Sequence, residues 1–218
     1  MLEAVILAAG KGTRMKSNLP KVMHPIAGKP MLQHVLDSAA ELAPEKIHLV
    51  LGHGAEVFRE HIAASANLDV VLQEQQLGTG HAVMQVLPKL SPASTTLILY
   101  GDVPLIRADT LRRLAALAND QTLALLTVRL ADPTGYGRIL RDEQNLVAAI
   151  VEQKDATPEQ LALNEVNTGF MAIPSQFLRE YLPQLSNQNA GRVLFDRHYR
   201  PRTRQRLGCY LVGNGLSV

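Results

Sequence analysis

The chain has 218 residues, with 22 Lys and Arg against 20 Asp and Glu, 46% hydrophobic residues and one cysteine. That length suits one α/β domain or a domain and a half, with ample material for a core. The lone Cys209 excludes an internal disulfide framework or a multi-cysteine metal site, no apolar run of about 18 residues is present to span a membrane, and Met1 leads into a strand without a secretory-type leader, so a cytoplasmic protein is expected.

The apolar run Ala4-Val5-Ile6-Leu7 feeds Ala8-Ala9-Gly10-Lys11-Gly12-Thr13-Arg14-Met15, with Pro20-Lys21 close behind. A buried strand would deliver such a loop to a sheet edge, where glycine N–H groups, a hydroxyl and the cations Lys11, Arg14, Lys16 and Lys21 suit phosphate. The spacing is neither a Walker A loop nor the G-x-G-x-x-G fingerprint. By itself the loop reads equally well as a basic surface turn. Pro30 opens a helical pattern with Met31, Leu32, Val35, Leu36 and Ala39 on one face. Lys46–Leu51 is a strand, and Gly52-His53-Gly54 turns into a helix near 55–65. Val70–Leu72 is a short strand. Gly78-Thr79-Gly80 precedes a helix through Leu87. Thr96–Tyr100 is a buried strand ending at Gly101-Asp102, and a helix over 109–118 follows with Asp109 as its N-cap.

This alternation predicts an α/β fold, a Rossmann-like, mostly parallel sheet flanked by helices. Loop 7–21, the Gln73–Gly80 turn and Gly101-Asp102 all follow strands and should converge on one rim. After residue 122 the pattern changes. Leu123–Leu130, Leu146–Val151 and Asn167–Ile173 read as further strands, with a turn-rich loop at 132–137, and would form a second half able to hold another substrate. Residues 1–190 show no repeats, low-complexity segments or linkers.

Asp102, at a strand's carboxyl end facing the loop, suits Mg²⁺ shared with phosphates, or equally a helix N-cap. The amides of Gln73, Gln75 and Gln76 can read a base edge, or merely solvate a turn while Thr79 caps a helix and His81 is structural. Gly135-Tyr136-Gly137-Arg138, Glu152 and Asn167 could hold sugar hydroxyls or an N-acetyl group; without further argument they read as surface loops. No H-E-x-x-H or G-x-S-x-G pattern occurs.

Taken together, Leu7–Met15 with Pro20-Lys21-Val22 resembles the signature of sugar-1-phosphate nucleotidyltransferases. The blocks Gln73–His81, Tyr100–Pro104, Asp132–Arg138, Val151–Thr157 and Asn164–Gly169 resemble the pyrophosphorylase domain of the bacterial bifunctional N-acetylglucosamine-1-phosphate uridyltransferase / glucosamine-1-phosphate acetyltransferase family. The resemblance covers 1–190. It implies nucleotide binding by Leu7, Ala8, Ala9, Gly10, Gly12, Thr13, Gln73, Gly78, Thr79, Tyr100 and Gly101, and catalytic charge neutralisation by Arg14 and Lys21. It further implies Mg²⁺ on Asp102, and N-acetylglucosamine on Gly137, Glu152 and Asn167. The sugar-1-phosphate oxygen would attack the α-phosphorus of UTP, releasing pyrophosphate and giving UDP-N-acetylglucosamine. Such chemistry needs positioning and charge neutralisation rather than a nucleophilic side chain.

The tail departs from that pattern. Residues 1–190 hold 16 Lys and Arg against 19 Asp and Glu, a net of −3; residues 191–218 hold Arg192, Arg197, Arg200, Arg202, Arg204 and Arg206 against Asp196, a net of +5. Where the family continues G-E-Y-Y-L-T-D-I-I-A-L-A, this chain has Gly191-Arg192-Val193-Leu194-Phe195-Asp196-Arg197-His198-Tyr199-Arg200-Pro201-Arg202. An allowed codon choice for those residues, read from its second base, translates as the family segment. An out-of-frame tail is therefore expected, preferred over a genuine basic tail for RNA or an anionic membrane. The resemblance then implies loss of the segment's sugar contacts and of a later asparagine ligand to Mg²⁺, absence of the acetyltransferase β-helix and its trimer, and uridyltransferase activity that is strongly reduced or absent. No nucleic-acid or membrane partner is expected. Two other readings stay open: a related sugar-1-phosphate nucleotidyltransferase, and a non-catalytic UTP-binding remnant.

Overall fold

A computed structural model describes residues 1–10, 17, 19–52, 58, 61–62, 65–120, 122–184 and 208–211. Strand β1 (Leu2–Ala8) sits at the centre of the sheet, parallel to β4 (Lys46–Leu51) on one side and β6 (Thr95–Tyr100) on the other. From Ala4 to Ala8 its run is apolar because both faces are covered. Ala4, Ile6 and Ala8 pack with Leu32, Val35 and Leu36 of α1 (Met31–Ala40) and with Leu111 and Leu114 of α3 (Ala108–Leu117). Val5 and Leu7 point the other way, into a cluster with Val83 and Val86 of α2 (Thr79–Val86) and Phe177 and Leu178 of α5 (Ser175–Tyr181). The expected period-two split of side chains thus divides one strand between two cores.

β5 (Leu68–Leu72) extends the parallel block beyond β4. Across β6 the direction reverses. β10 (Glu165–Pro174) runs antiparallel to both β6 and β7 (Ala124–Arg129), and β8 (Arg138–Arg141) and β9 (Val147–Val151) form a hairpin leaning on β10. Gly208–Leu211, β11, lies parallel to β7 at the far edge, giving the order β11-β7-β10-β6-β1-β4-β5. The expected doubly wound core with added strands is present.

Several local readings change. β10 is longer than Asn167–Ile173, and β8 and α5 carried no distinct sequence signal. A two-residue pair, β2 (Pro25–Ile26) with β3 (Lys29–Pro30), precedes α1, and a single-turn helix α4 (Pro158–Leu161) carries a Thr157/Gln160 capping box. Asp109 is not the N-cap of α3; Arg107 is, and Asp109 lies in the first turn, bonded to Arg112 at 2.5 Å. Thr79 does not cap α2, because Gly78 occupies the cap and Thr79 is already helical. The helix expected near 55–65 falls mostly outside the described residues.

Candidate active site

The carboxyl ends of β1, β5 and β6 open onto one cleft of about 640 Å³. Leu7, Ala8, Ala9 and Gly10 form its floor, Gln73, Gln76, Gly78, Thr79 and Ala82 one wall, and Lys21, Val22, Tyr100 and Asp102 the other. Parallel pairing brings these residues together: Leu7 is opposite Tyr100 in register, and the Gly101 N–H donates to Leu7 O at 3.0 Å. Gly101 supports the floor from behind. Gly12, Thr13 and Arg14 lie outside the described residues.

The two sides of the cleft differ chemically. At one, Lys21 Nζ donates to Asp102 Oδ2 at 2.8 Å, with both side chains partly exposed. At the other, Gln73 is buried, and its amide nitrogen donates to Gly78 O at 3.1 Å and lies 3.0 Å from His81 Nδ1. The bond to Gly78 O fixes the orientation of the amide and leaves the Gln73 carbonyl oxygen for a ligand. Gly78 makes this turn at φ +105°, which admits glycine and little else. Gln76 donates to Ala9 O and ties the wall to the floor.

The second half meets the first at Tyr100. Burial raises the Tyr100 hydroxyl above its ordinary value; a hydrogen bond with Thr79 opposes the shift, and the charges of Asp102 and Glu152 add to it. The phenol stays neutral and able to donate. Gly137, Glu152 and Asn167 are indeed neighbours. The Asn167 N–H donates to Gly137 O at 2.9 Å, and a Cβ on Gly137 would stand 3.1 Å from Glu152 Oε1. Glycine at 137 keeps that carboxylate uncovered.

For magnesium the donor set is a single carboxylate. Among the described residues no group of three or more His, Cys, Asp or Glu could hold a metal ion. Asp102 on the cleft wall fits an ion that takes one or two carboxylates and draws its other ligands from phosphates and water. Among the same residues no helix is long and apolar enough to cross a membrane.

The family model described as the MobA-like NTP transferase domain matches residues 4–202. The chain belongs to that family. By family it is a nucleotidyltransferase. It is 62% identical over 189 residues to the bifunctional protein GlmU of Pseudomonas aeruginosa strain PAO1, covering 87% of this chain and 41% of that protein. It is 60% identical over 190 residues to the GlmU of Saccharophagus degradans, covering 87% of this chain and 42% of that one. The chain thus spans about two fifths of these curated relatives, matching their pyrophosphorylase segment. Among solved structures it resembles a UDP-glucose pyrophosphorylase bound to UDP-glucose, with TM-score 0.71, 19% identity and coverage of 88% of this chain and 82% of that one. It also resembles HddC of Yersinia pseudotuberculosis, with TM-score 0.69, 19% identity and coverage of 97% and 90%. These last two, at 19% identity, show the fold alone.

Of the expected nucleotide residues that are described, all but Gly101 line this cleft, and Gly101 bonds to Leu7 O beside it. Sequence reasoning left Gln76 as only one of three interchangeable amides and gave no role to Val22, Ala82 or Gly169. Gln76 and Gly169 carried a signal, being an amide beside a glycine turn and a lone glycine inside a strand.

Proposed function

We propose that this chain is the uridylyl-transferring part of an enzyme that joins UTP to N-acetylglucosamine-1-phosphate, giving UDP-N-acetylglucosamine and pyrophosphate. The observation that carries the reading is one cleft with a Lys21–Asp102 pair on one side and an accepting Gln73 carbonyl on the other. Phosphates suit the first side and a uracil N3–H suits the second. Lys21 would neutralise the triphosphate as pyrophosphate leaves, with Arg14 as its proposed partner. Asp102 would hold Mg²⁺, which supplies charge neutralisation at the phosphates when bound. Leu7 to Gly10, with Gly12 and Thr13, would hold the nucleotide backbone-to-phosphate, and Gly78 and Thr79 the ribose side. Gly137, Glu152 and Asn167 would hold the sugar; the acetamido identity rests on the sequence resemblance. On this reading the compartment is the cytoplasm, the partners are these small molecules, and neither nucleic acid nor a trimer contributes.

We also propose that residues 191–218 are out of frame. Similarity to the curated relatives covers 189 to 190 of the 218 residues and the family match runs to residue 202, so the reading rests on the codon argument above. Pairing of Gly208–Leu211 with β7 needs only backbone groups, so it is indifferent to the origin of those residues. Sequencing the gene across codons 185–220 tests this; a confirmed in-frame tail, with no G-E-Y-Y-L-T-D in the neighbouring frame, would sink it. Because the replaced segment carries sugar contacts in the resembled family, pyrophosphate release from UTP, Mg²⁺ and N-acetylglucosamine-1-phosphate should be far below family turnover. Near-family turnover of the 218-residue chain would overturn that expectation. UTP binding without turnover is the outcome that favours a nucleotide-binding remnant.

A further inference from the structure

The strand β10 slips register against β7 between Asn167 and Met171. The irregularity is pinned by its own side chains. Asn167 Oδ1 accepts the Gly169 N–H at 2.9 Å, and Thr168 Oγ1 donates to Leu126 O at 2.6 Å while accepting the Phe170 N–H at 3.2 Å. At its crest Gly169 adopts φ +82° and lies against the ring of Tyr100. A Cβ there would stand 2.7 Å from Tyr100 Cε2 and 2.8 Å from its hydroxyl oxygen. Phe170 packs on the same ring edge-on, with centroids 5.7 Å apart. A bulge with a left-handed glycine beside a site commonly re-aims a side chain, and here the neighbouring strand's tyrosine is the one aimed.

We infer that Gly169 is a positioning residue, whose missing side chain lets the Tyr100 ring stand in the cleft it shares with Thr79 while resting on the bulge that carries Asn167 of the sugar half. Tyr100 then spans the two halves, and occupancy of the sugar pocket strengthens the hold on the nucleotide. Any side chain at 169 pushes the ring away and uncouples them. This rests on the proposed uridylyl-transfer reading.

The test uses the 218-residue chain in four forms: wild type, Gly169→Ala, Tyr100→Ala and the double variant. Without ligand, the unfolding midpoints form a cycle. Gly169→Ala should cost roughly 3 °C less in the Tyr100→Ala background than in the wild type, because the ring it strikes is gone while the backbone strain is common to both. Additive midpoints overturn the positioning claim, whatever the chain binds. With ligand, calorimetry compares UDP-N-acetylglucosamine with UDP. Gly169→Ala should weaken UDP-N-acetylglucosamine binding about ten-fold and UDP binding less than about two-fold, and the difference should vanish in the Tyr100→Ala background. Equal weakening of both ligands contradicts the coupling role, since a merely structural defect lowers the active fraction for both. Should wild type bind no uridine nucleotide, the uridylyl reading and the coupling role fall together, while the midpoint cycle still decides the positioning.

Discussion

The two halves of this sheet are stabilised differently. The parallel half, β6-β1-β4-β5, is mostly apolar along its strands, with the buried His48 of β4 facing Asp69 and Glu3 as the exception, and sends its other polar groups to the strand ends. At the carboxyl ends those groups face the cleft. At the amino ends they bond to one another: the buried Glu3 carboxylate accepts from the Ser91 N–H at 2.9 Å and from Ser94 Oγ at 2.5 Å, and Ser175 Oγ lies 2.6 Å from Ser94 Oγ and 2.7 Å from Thr96 Oγ1. The antiparallel half bonds polar side chains from one strand to another: Arg141 at the end of β8 grips Glu165 at the start of β10 through Nε at 2.9 Å and a terminal nitrogen at 2.6 Å, and Thr127 Oγ1 within β7 donates to the same carboxylate at 2.8 Å. A buried, fully bonded charge pair specifies a partner and a register, which a run of interchangeable apolar residues cannot do. The first half is therefore legible as a pattern, while the second depends on particular pairings.

If the halves are separable in this way, variants should sort by half. The largest effect is expected from Arg141→Ala, which strands a buried carboxylate and should cost about 3 kcal/mol of stability in urea unfolding; UTP affinity, if measured where the protein is folded, should move less than about two-fold. A large loss of affinity would tie the halves together more tightly than described. Glu3→Ala should come next, at about 2 kcal/mol, because it leaves a buried hydroxyl and N–H without their acceptor at the end of the sheet remote from the cleft. Lys21→Ala should weaken UTP about ten-fold by calorimetry, the scale of one charge-assisted hydrogen bond of about 1.4 kcal/mol, and should weaken uridine hardly at all. The smallest effect concerns acid. Burial alone would raise the Glu165 carboxyl, but the bonds from Arg141 and Thr127 outweigh it and hold its pKa below the ordinary value. Its folded pKa is thus depressed, so its contribution is present above pH of about 4.5 and is lost as pH falls through the folded value. Thermal midpoints of wild type and Glu165→Gln should therefore converge between neutral pH and pH of about 3; parallel curves would contradict this.

This difference also explains what could be read in advance. β1, β4 and β6 are runs buried on both faces, and Lys46–Leu51 was bounded as it stands in the structure. The convergence of Leu7 to Gly10, Gln73, Thr79 and Asp102 followed from strand-end logic alone. Arg138–Arg141 was missed because a four-residue strand with arginine at both ends has no apolar period; its place is set by pairing with Val147–Val151. Asp109 looked like a cap because its residue type suits one, yet the chain enters α3 two residues earlier, at Arg107. Gly169 was visible as a glycine in a strand, but its contact with Tyr100 depends on a bulge that joins β10 to a strand some seventy residues away.

The central claim is that this cleft reads a uridine nucleotide through an accepting Gln73 carbonyl. Titrating the 218-residue chain with UTP and with CTP in Mg²⁺, by calorimetry, addresses it directly. Uracil presents an N3–H to that oxygen, whereas cytosine presents a lone pair. UTP should bind at least about ten-fold more tightly than CTP, and Gln73→Ala should erase the difference. Equal affinities for the two nucleotides in the wild-type chain would contradict the account.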